Sequence, residues 1–411
     1  MKANAPLLPV LLCLLSSITG SAQVAVKADL LYHMTGDLKP LRKGVVLCSQ
    51  DGTIEKVGPA DAVPVPEGYR ILRARVATPG LIDAHATVGL SGILNSDKHD
   101  QEQLERSAPV QPELRAVDAY NGRDPLVKWL RELGVTTIHT GHAPGALVAG
   151  QTMILKTNVP AITDLESHTL RPFAMVAATL GSKSFAGSGA PGTRARALSM
   201  LRENLLQARR YLQKRKDAKE GEEPDRNLRL EALADVLEKK APLLITAQRH
   251  HDIAAALRLQ KEFGFNLVLD GAAEAYLLLE EISEADVAIL IHPTMARPYG
   301  ENENMTFTLA AKLHTAGIPF AFQSGYEPYV PKTRVVHFEA ALAVAYGLPH
   351  EIALAGCTSS AAALLGIADR VGSLKPGLAA DLALFDGDPL ETVTHCTGVI
   401  IDGKVVSEIV K

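Results

Sequence analysis

The chain has few cysteines, no surplus of basic charge and no common catalytic motif, and each absence excludes a class of protein. Its four cysteines among 411 residues form no Cys-x-x-Cys pair, so neither a disulfide framework nor a cysteine metal site is expected. The 42 basic and 46 acidic residues give a net charge of −4. The chain has no surplus of basic residues to neutralise a phosphate backbone, so we expect no nucleic-acid partner.

Other catalytic frames are missing as well. The sequence contains no Walker loop, no His-Glu-x-x-His and no Gly-x-Ser-x-Gly, and it shows no internal repeat. The sequence therefore gives no support for a P-loop nucleotide hydrolase, a zincin metalloprotease or a serine hydrolase.

Residues 1–22 have the pattern of a cleavable export signal. Lys2 supplies the positive start, residues 7–18 the apolar centre, and residues 20–22 a small-residue cleavage site. The apolar run is shorter than the roughly 20 residues that a spanning helix needs. We expect a periplasmic or extracellular protein with no membrane span; a buried N-terminal helix is the alternative. In that setting Cys48 and Cys396 either form a bridge or remain buried thiols.

Short strand patterns occur at both ends of the chain. Turn signals at Asp51-Gly52 and Asp402-Gly403 separate runs of β-forming residues. The pattern predicts one small β-sandwich domain composed of residues 24–76 plus 369–411.

Between these ends, over residues 77–368, apolar runs alternate with helical patterns, which is typical of βα units and a parallel sheet. The eight strand-like runs are 81–85, 135–139, 152–155, 173–178, 243–246, 266–269, 287–291 and 319–322. The predicted fold class is therefore α/β, with a (β/α)8 TIM-like barrel whose active site lies at the carboxyl ends of its strands.

The phrase at residues 78–90 is the centre of the functional prediction. Asp83 and His85 stand two residues apart and so share one face of a strand. The phrase resembles the first barrel strand of the amidohydrolase superfamily, Pro-Gly-Leu-Ile-Asp-x-His-x-His. The phrase at 242–249 resembles the fifth strand of its imidazolonepropionase-like members. The C-terminal phrases at 372–382 and 399–406 resemble the composite domain of the same family.

The resemblance implies a catalytic metal, usually zinc, held by histidines and an aspartate at strand ends. Only His85 remains of the usual set in this chain. The other expected positions are occupied by Thr87, Thr246, Gly271 and Gly325. Threonine and glycine cannot replace imidazole or carboxylate, so we expect a degenerate, metal-poor site in which zinc is disfavoured. Lys156 is the candidate for the lysine that bridges two metals in the family.

Other polar residues at strand ends are candidates for a compensating site. We predict catalytic roles for His85, His142 and Asp83. The further pocket candidates are His139, His292, Arg249, Asp270, Glu327 and Lys156. Such a group is compatible with a relocated metal site or with proton transfer. The alternative is that each histidine holds a loop by hydrogen bonds.

The resemblance implies a hydrolase that acts on a non-peptide C–N bond of a small cyclic amide-type compound. Two other functions stay open, because a fold does not establish a chemistry. One is a barrel that binds a small molecule without turnover. The other is a non-catalytic subunit that pairs with an active amidohydrolase, in a homo- or hetero-oligomer.

Overall fold

A computed structural model describes residues 23–92, 101–159, 165–291, 294, 298–326 and 335–409. The predicted export signal, His292 and Glu327 lie outside the described residues.

Strands and helices alternate through the middle of the chain, as the pattern predicts. The described strands are β1 Val24–Leu31, β2 Leu41–Cys48, β3 Ile54–Pro59, β4 Arg70–Pro79, β5 Leu81–Ala86, β6 Val135–Thr140, β7 Val148–Gln151, β8 Met153–Lys156, β9 Thr169–Arg171, β10 Val176–Thr179, β11 Leu243–Ala247, β12 Leu267–Gly271, β13 Ala288–Ile291, β14 Phe320–Phe322, β15 Leu382–Phe385, β16 Cys396–Ile401 and β17 Lys404–Glu408. The described helices are α1 Ala116–Ala119, α2 Pro125–Glu132, α3 Arg194–Asp217, α4 Leu228–Leu237, α5 His250–Phe263, α6 Leu279–Glu284, α7 Leu309–Thr315, α8 Val336–Ala345, α9 His350–Gly356 and α10 Ser359–Leu364.

Capping residues explain where α2 begins and where α5 ends. In α2 the backbone N–H of Leu126 donates to the Asp124 carboxylate at 2.9 Å, with Pro125 at the first helical position. The helix α5 ends at Gly264, whose φ of +77° lies in the left-handed region that glycine adopts without strain. None of the helices in the described ranges is long and apolar enough to cross a membrane.

Both ends of the chain meet in one seven-stranded sheet. Its strand order is β17-β16-β15-β4-β1-β2-β3, and β15 pairs antiparallel with β4. The predicted joining of the termini is therefore observed, but a two-sheet sandwich is not confirmed. Instead, Phe385 and Cys396 belong to the same apolar cluster as Leu130 and Val135, so this part of the sheet packs on α2 and β6. The predicted domain limits stay predictions.

The middle of the chain forms two further sheets. One has the order β14-β13-β12-β11-β10-β7, in which β10 to β14 run parallel. The other has the order β5-β6-β8-β9. A parallel bridge between Ala86 and Gly325 brings β5 beside the end of β14, although the sheets are not closed into a continuous barrel.

One predicted strand differs from the ideal barrel. The run at 152–155 becomes β8, which pairs antiparallel with β6 and with β9. Parallel pairing of β6 and β8 would require a crossover connection, usually a helix of a dozen or more residues. The short segment between these strands contains β7 and no helix, so the chain returns antiparallel.

All three described cysteines are free and buried. Burial raises the pKa of Cys48 to about 12 and that of Cys396 to about 12. Of the two alternatives for these residues, the structure has the buried thiols.

Candidate functional site

Five polar side chains from four strands meet at one end of the two central sheets. We call this region the mouth and define it by Asp83, His85, Thr246, Asp270 and Gln323. Each lies at or near the carboxyl end of its strand, β5, β11, β12 or β14, where a parallel barrel-type sheet places its active site. All five side chains are buried.

His85 and Asp270 form the central pair. The imidazole Nδ1 of His85 lies 3.2 Å from the Asp270 carboxylate, and both side chains are almost fully buried. The other ring nitrogen, Nε2, is buried and has no hydrogen-bond partner among the described residues. Since an ionised carboxylate only accepts, Nδ1 carries the proton in this contact, and Nε2 is the ring nitrogen left to contact a ligand.

Two further side chains fix the Asp270 carboxylate. Thr246, its register partner on β11, donates its hydroxyl to Asp270 at 2.5 Å. The Gln323 amide donates to the other carboxylate oxygen at 2.5 Å and to the Leu290 carbonyl at 3.0 Å. Burial alone would raise the pKa of Asp270, but His85 and these two hydrogen bonds outweigh it and lower the pKa to about 2. Asp270 is thus a permanent anion beside His85.

Asp83 has a different environment. Its carboxylate accepts the Ser324 backbone N–H at 2.9 Å and the Ser324 hydroxyl. Burial raises its pKa to about 6, although the Ser324 hydrogen bonds and His85 act in the opposite direction. These contacts tie β5 to the residues that follow β14. The carboxylate of the predicted catalytic Asp83 is thus bound to the backbone and hydroxyl of Ser324.

His139 within β6 and His142 just after it differ in their contacts. His139 bonds through Nδ1 to the Ala84 carbonyl at 2.6 Å and through Nε2 to the Thr152 hydroxyl at 2.7 Å. Burial lowers its pKa to about 3, and the nearby His85 lowers it further. With both nitrogens used, His139 joins Ala84 on β5 to Thr152 beside β8.

His142 has more freedom. Its Nε2 lies 3.4 Å from the Leu114 carbonyl, and its Nδ1 has no hydrogen-bond partner in the described part of the chain. Burial lowers its pKa to about 4, and His85 contributes to the lowering. His142 is therefore a neutral imidazole near the mouth with one nitrogen available to a ligand.

A tyrosine lies beside the His85 ring, and a lysine lies over that tyrosine. The Tyr326 ring is 5.7 Å from the His85 ring, centroid to centroid. The Lys183 ammonium in turn lies 5.1 Å from the Tyr326 centroid, a cation–π contact. Tyr326 is buried and Lys183 is exposed, so together they connect His85 to the solvent side of the mouth.

The two remaining pocket candidates that the structure describes are held by ion pairs. Arg249 donates to Glu303 at 2.7 Å and to the Gly300 carbonyl at 3.2 Å, so it fastens the segment that follows β13. Lys156 lies 3.0 Å from Asp381 and also contacts Asp402. Because Lys156 pairs in register with Thr137 near the start of β6, it joins β8 to the seven-stranded sheet instead of pointing into the mouth. A metal-bridging role for Lys156 is thus incompatible with its contacts.

The expected metal positions can be compared with the observed donors. Thr246 is used as a donor to Asp270, while Gly271 and Gly325 adopt φ values of +81° and +79° and have no side chain to offer. No group of three or more His, Cys, Asp or Glu side chains within the described ranges is arranged to hold a metal ion. The described donors alone do not fit a catalytic zinc, which needs about three protein ligands.

Comparison with known proteins gives the wider context. A model of the Amidohydrolase family matches residues 330–406. An amidohydrolase from Thermotoga maritima is 28% identical, with a TM-score of 0.86 over 94% of this chain and 100% of that chain. The comparisons support the amidohydrolase superfamily. The neighbours imply a TIM-barrel-like α/β fold for the central part of the molecule.

Two other similar proteins set the limits of this conclusion. Amidohydrolase tasK from Hapsidospora irregularis is 25% identical over 394 residues, which cover 86% of this chain and 39% of that protein. The chain therefore spans well under half the length of this curated amidohydrolase relative. A molinate hydrolase is 17% identical with a TM-score of 0.58, and this likeness shows the fold alone.

Sequence reasoning missed the residues that complete the mouth. Gln323, Ser324 and Tyr326 stand in the eighth-strand phrase beside Gly325, which occupies an expected ligand position. Three polar side chains directly after the buried run Phe320–Phe322 were the signal that could have identified them. Lys183 and Thr152 lie in or beside short, irregular elements, and the sequence holds no comparable signal for them.

Proposed function

We propose that this chain is an amidohydrolase-type hydrolase that cleaves a non-peptide C–N bond in a small cyclic amide-type substrate, with a metal-poor site. The observation that carries the proposal is the His85–Asp270 pair, whose Nε2 nitrogen is buried and unpartnered. A histidine oriented by a permanent carboxylate is a common general base. The replacement of four expected ligand positions by Thr87, Thr246, Gly271 and Gly325 supports a site that works without the usual metal set.

In this proposal His85 Nε2 removes a proton from a water molecule, and the water oxygen bonds to the carbonyl carbon. The C–N bond then breaks, and the proton on Nε2 passes to the leaving nitrogen, so protons and electrons balance. Asp270 stabilises the transient imidazolium by its charge and keeps Nδ1 protonated. His142, with its unpartnered Nδ1, offers a second contact for a polar group of the substrate.

The test combines turnover with elemental analysis of the same preparation. Purified protein is assayed with cyclic imides, hydantoins and lactams, before and after dialysis against a chelator. We expect hydrolysis that survives dialysis, is lost in His85→Ala, and is partly restored to that variant by added imidazole. A stoichiometric transition metal whose removal abolishes turnover would overturn the metal-poor part. Restoration by imidazole distinguishes lost chemistry from lost folding.

One observation favours a second candidate, a non-catalytic barrel that binds a ligand or an active amidohydrolase partner. Asp83, Asp270 and His139 all have their hydrogen bonds satisfied by neighbours in the mouth. A fully paired polar core also serves to hold strands together. Absence of turnover over the whole substrate panel, with stable co-purification of a second amidohydrolase, would favour this candidate.

We also propose export, on the composition of residues 1–22. Expression of the full chain in a bacterium with two membranes should give a periplasmic product whose first residue is Gln23. A cytoplasmic product that keeps Met1 would contradict this proposal.

A further inference from the structure

A cleft on the seven-stranded sheet, lined by none of the residues that define the mouth, has its own chemistry. Its volume is about 650 Å³, and strands from both ends of the chain line it. Four basic residues contribute to the lining: Lys27, Lys43, Arg73 and Arg75. Two acidic residues, Asp29 and Asp386, also reach it, so the charge balance must be examined contact by contact.

Two of the cations are direct neighbours. Lys27 on β1 and Arg73 on β4 are register partners in the parallel pair. Side chains at paired positions point to the same face, and neighbouring strands lie about 4.8 Å apart. Neither side chain forms an ion pair with a carboxylate of the described residues. Like charges at paired positions repel each other and destabilise a sheet. An anion between the two would remove this repulsion.

A third cation is held in an unusual backbone conformation. Lys43 on β2 has a φ of +51°, in the left-handed region that a residue with a side chain rarely adopts. Its carbonyl accepts the Ala60 N–H at 2.9 Å, which holds this geometry. Residues in strained conformations gather at functional sites, and this one lines the same cleft as Lys27 and Arg73.

The two acidic residues of the lining offset only part of this positive charge. The Asp386 carboxylate is occupied by His395, through the backbone N–H at 2.7 Å and the ring Nδ1 at 3.4 Å. The Arg75 guanidinium donates to the backbone carbonyl of Asp386 at 3.4 Å. Asp29 and Asp386 together supply two negative charges against the four positive charges of Lys27, Lys43, Arg73 and Arg75. The cleft is therefore cationic.

We propose that this cleft binds a small organic polyanion, with two or more carboxylate or phosphate groups, between Lys27, Lys43 and Arg73. The apolar side chains of Val45, Phe385 and Ile409 in the lining offer contact to a carbon framework. Arginine recognises both anionic groups through paired hydrogen bonds, so the shared chemistry is a multiply charged anion.

The experiment is calorimetric titration of the full chain with pyrophosphate and, separately, with citrate, each in 150 mM sodium chloride. We expect saturable binding of at least one probe at one site per chain, and a higher melting temperature in its presence. The Lys27→Ala/Arg73→Ala variant should bind at least tenfold more weakly and lose the thermal shift. A preference between the probes identifies the anionic group.

The matched control is Lys219→Ala/Lys261→Ala, which removes the same charge from exposed positions outside the cleft. It should bind as the unaltered protein does. Equal weakening in the control, or no saturable binding of either probe, would overturn the proposal. The mouth variant Asp270→Asn should bind the anion normally, so failure of this inference is distinguishable from failure of the proposed hydrolytic function.

Discussion

The Nδ1 atom of His85 lies 3.2 Å from a carboxylate oxygen of Asp270, 185 positions further along the chain. The contact joins β5 of the four-stranded sheet to β12 of the six-stranded sheet. It therefore unites the two halves of the mouth, and its orientation leaves Nε2 of His85 without a partner in the described residues. The contact links the fold to the proposed chemistry.

Replacing Asp270 by asparagine tests that link. Asp270→Asn keeps the shape but removes the charge and allows the amide to donate to Nδ1, which favours the wrong tautomer of His85. We expect kcat to fall by about 10²–10⁴-fold with a smaller change in KM. The measurement is steady-state kinetics on the best substrate of the panel. Asp235→Asn, a surface change of the same kind, is the control, and an unaltered kcat in Asp270→Asn would refute the role of the pair.

Thr246 is a positioning residue, and its removal should act through Asp270. Thr246→Val deletes one hydrogen bond to the ionised carboxylate, so the pKa of Asp270 should rise from about 2. We expect a stability loss of about 1–2 kcal/mol and an acid limb of the pH–rate profile that moves to higher pH. The exposed Thr315→Val serves as control. A lower rate with an unmoved acid limb would indicate a purely structural role.

The mouth shows what a sequence can and cannot predict. The strands that carry Asp83, His85 and Asp270 follow from apolar runs, and the meeting of their carboxyl ends follows from parallel pairing. The hydrogen-bond partners of these side chains do not follow from the sequence, because they depend on the register of the sheet. Thr246, for example, lies beside Asp270 only through the pairing of β11 with β12. Likewise, Lys156 was placed in the metal site by resemblance, whereas the antiparallel turn of β8 directs it to Asp381.

The buried ion pair between Lys156 and Asp381 should contribute to the stability of the junction that it spans. Lys156→Met leaves a buried carboxylate without its cation, and we expect a loss of about 3–5 kcal/mol in the free energy of unfolding. The double variant Lys156→Met/Asp381→Leu should lose less than the two single variants together. Urea denaturation of all four proteins gives the coupling energy. Simple additivity of the two losses would show that the pair is not energetically coupled.

Buried histidines should make the protein less stable in mild acid. Burial lowers the pKa of His337 to about 4, and its Nδ1 has no hydrogen-bond partner in the described residues. Between pH 6.5 and 4 the unfolded chain binds a proton there that the folded chain refuses, so the free energy of unfolding falls as the pH falls. His139 and His142 act in the same direction. Asp83, with its raised pKa of about 6, acts oppositely between pH 6 and 3.8.

Substituting His337 alone isolates the contribution of one histidine to this pH dependence. His337→Phe should reduce the pH dependence of the unfolding free energy by about 1.4 kcal/mol per pH unit between pH 6 and 4.5. At pH 7.5 the His337 side chain is unprotonated in both the folded and the unfolded unaltered protein. At this pH the variant should therefore be as stable as the unaltered protein or slightly more stable, because a buried unpaired nitrogen is removed. Urea denaturation across this pH range measures both. An unchanged slope would mean that His337 gains a proton as easily in the folded protein as in the unfolded chain, which its burial opposes.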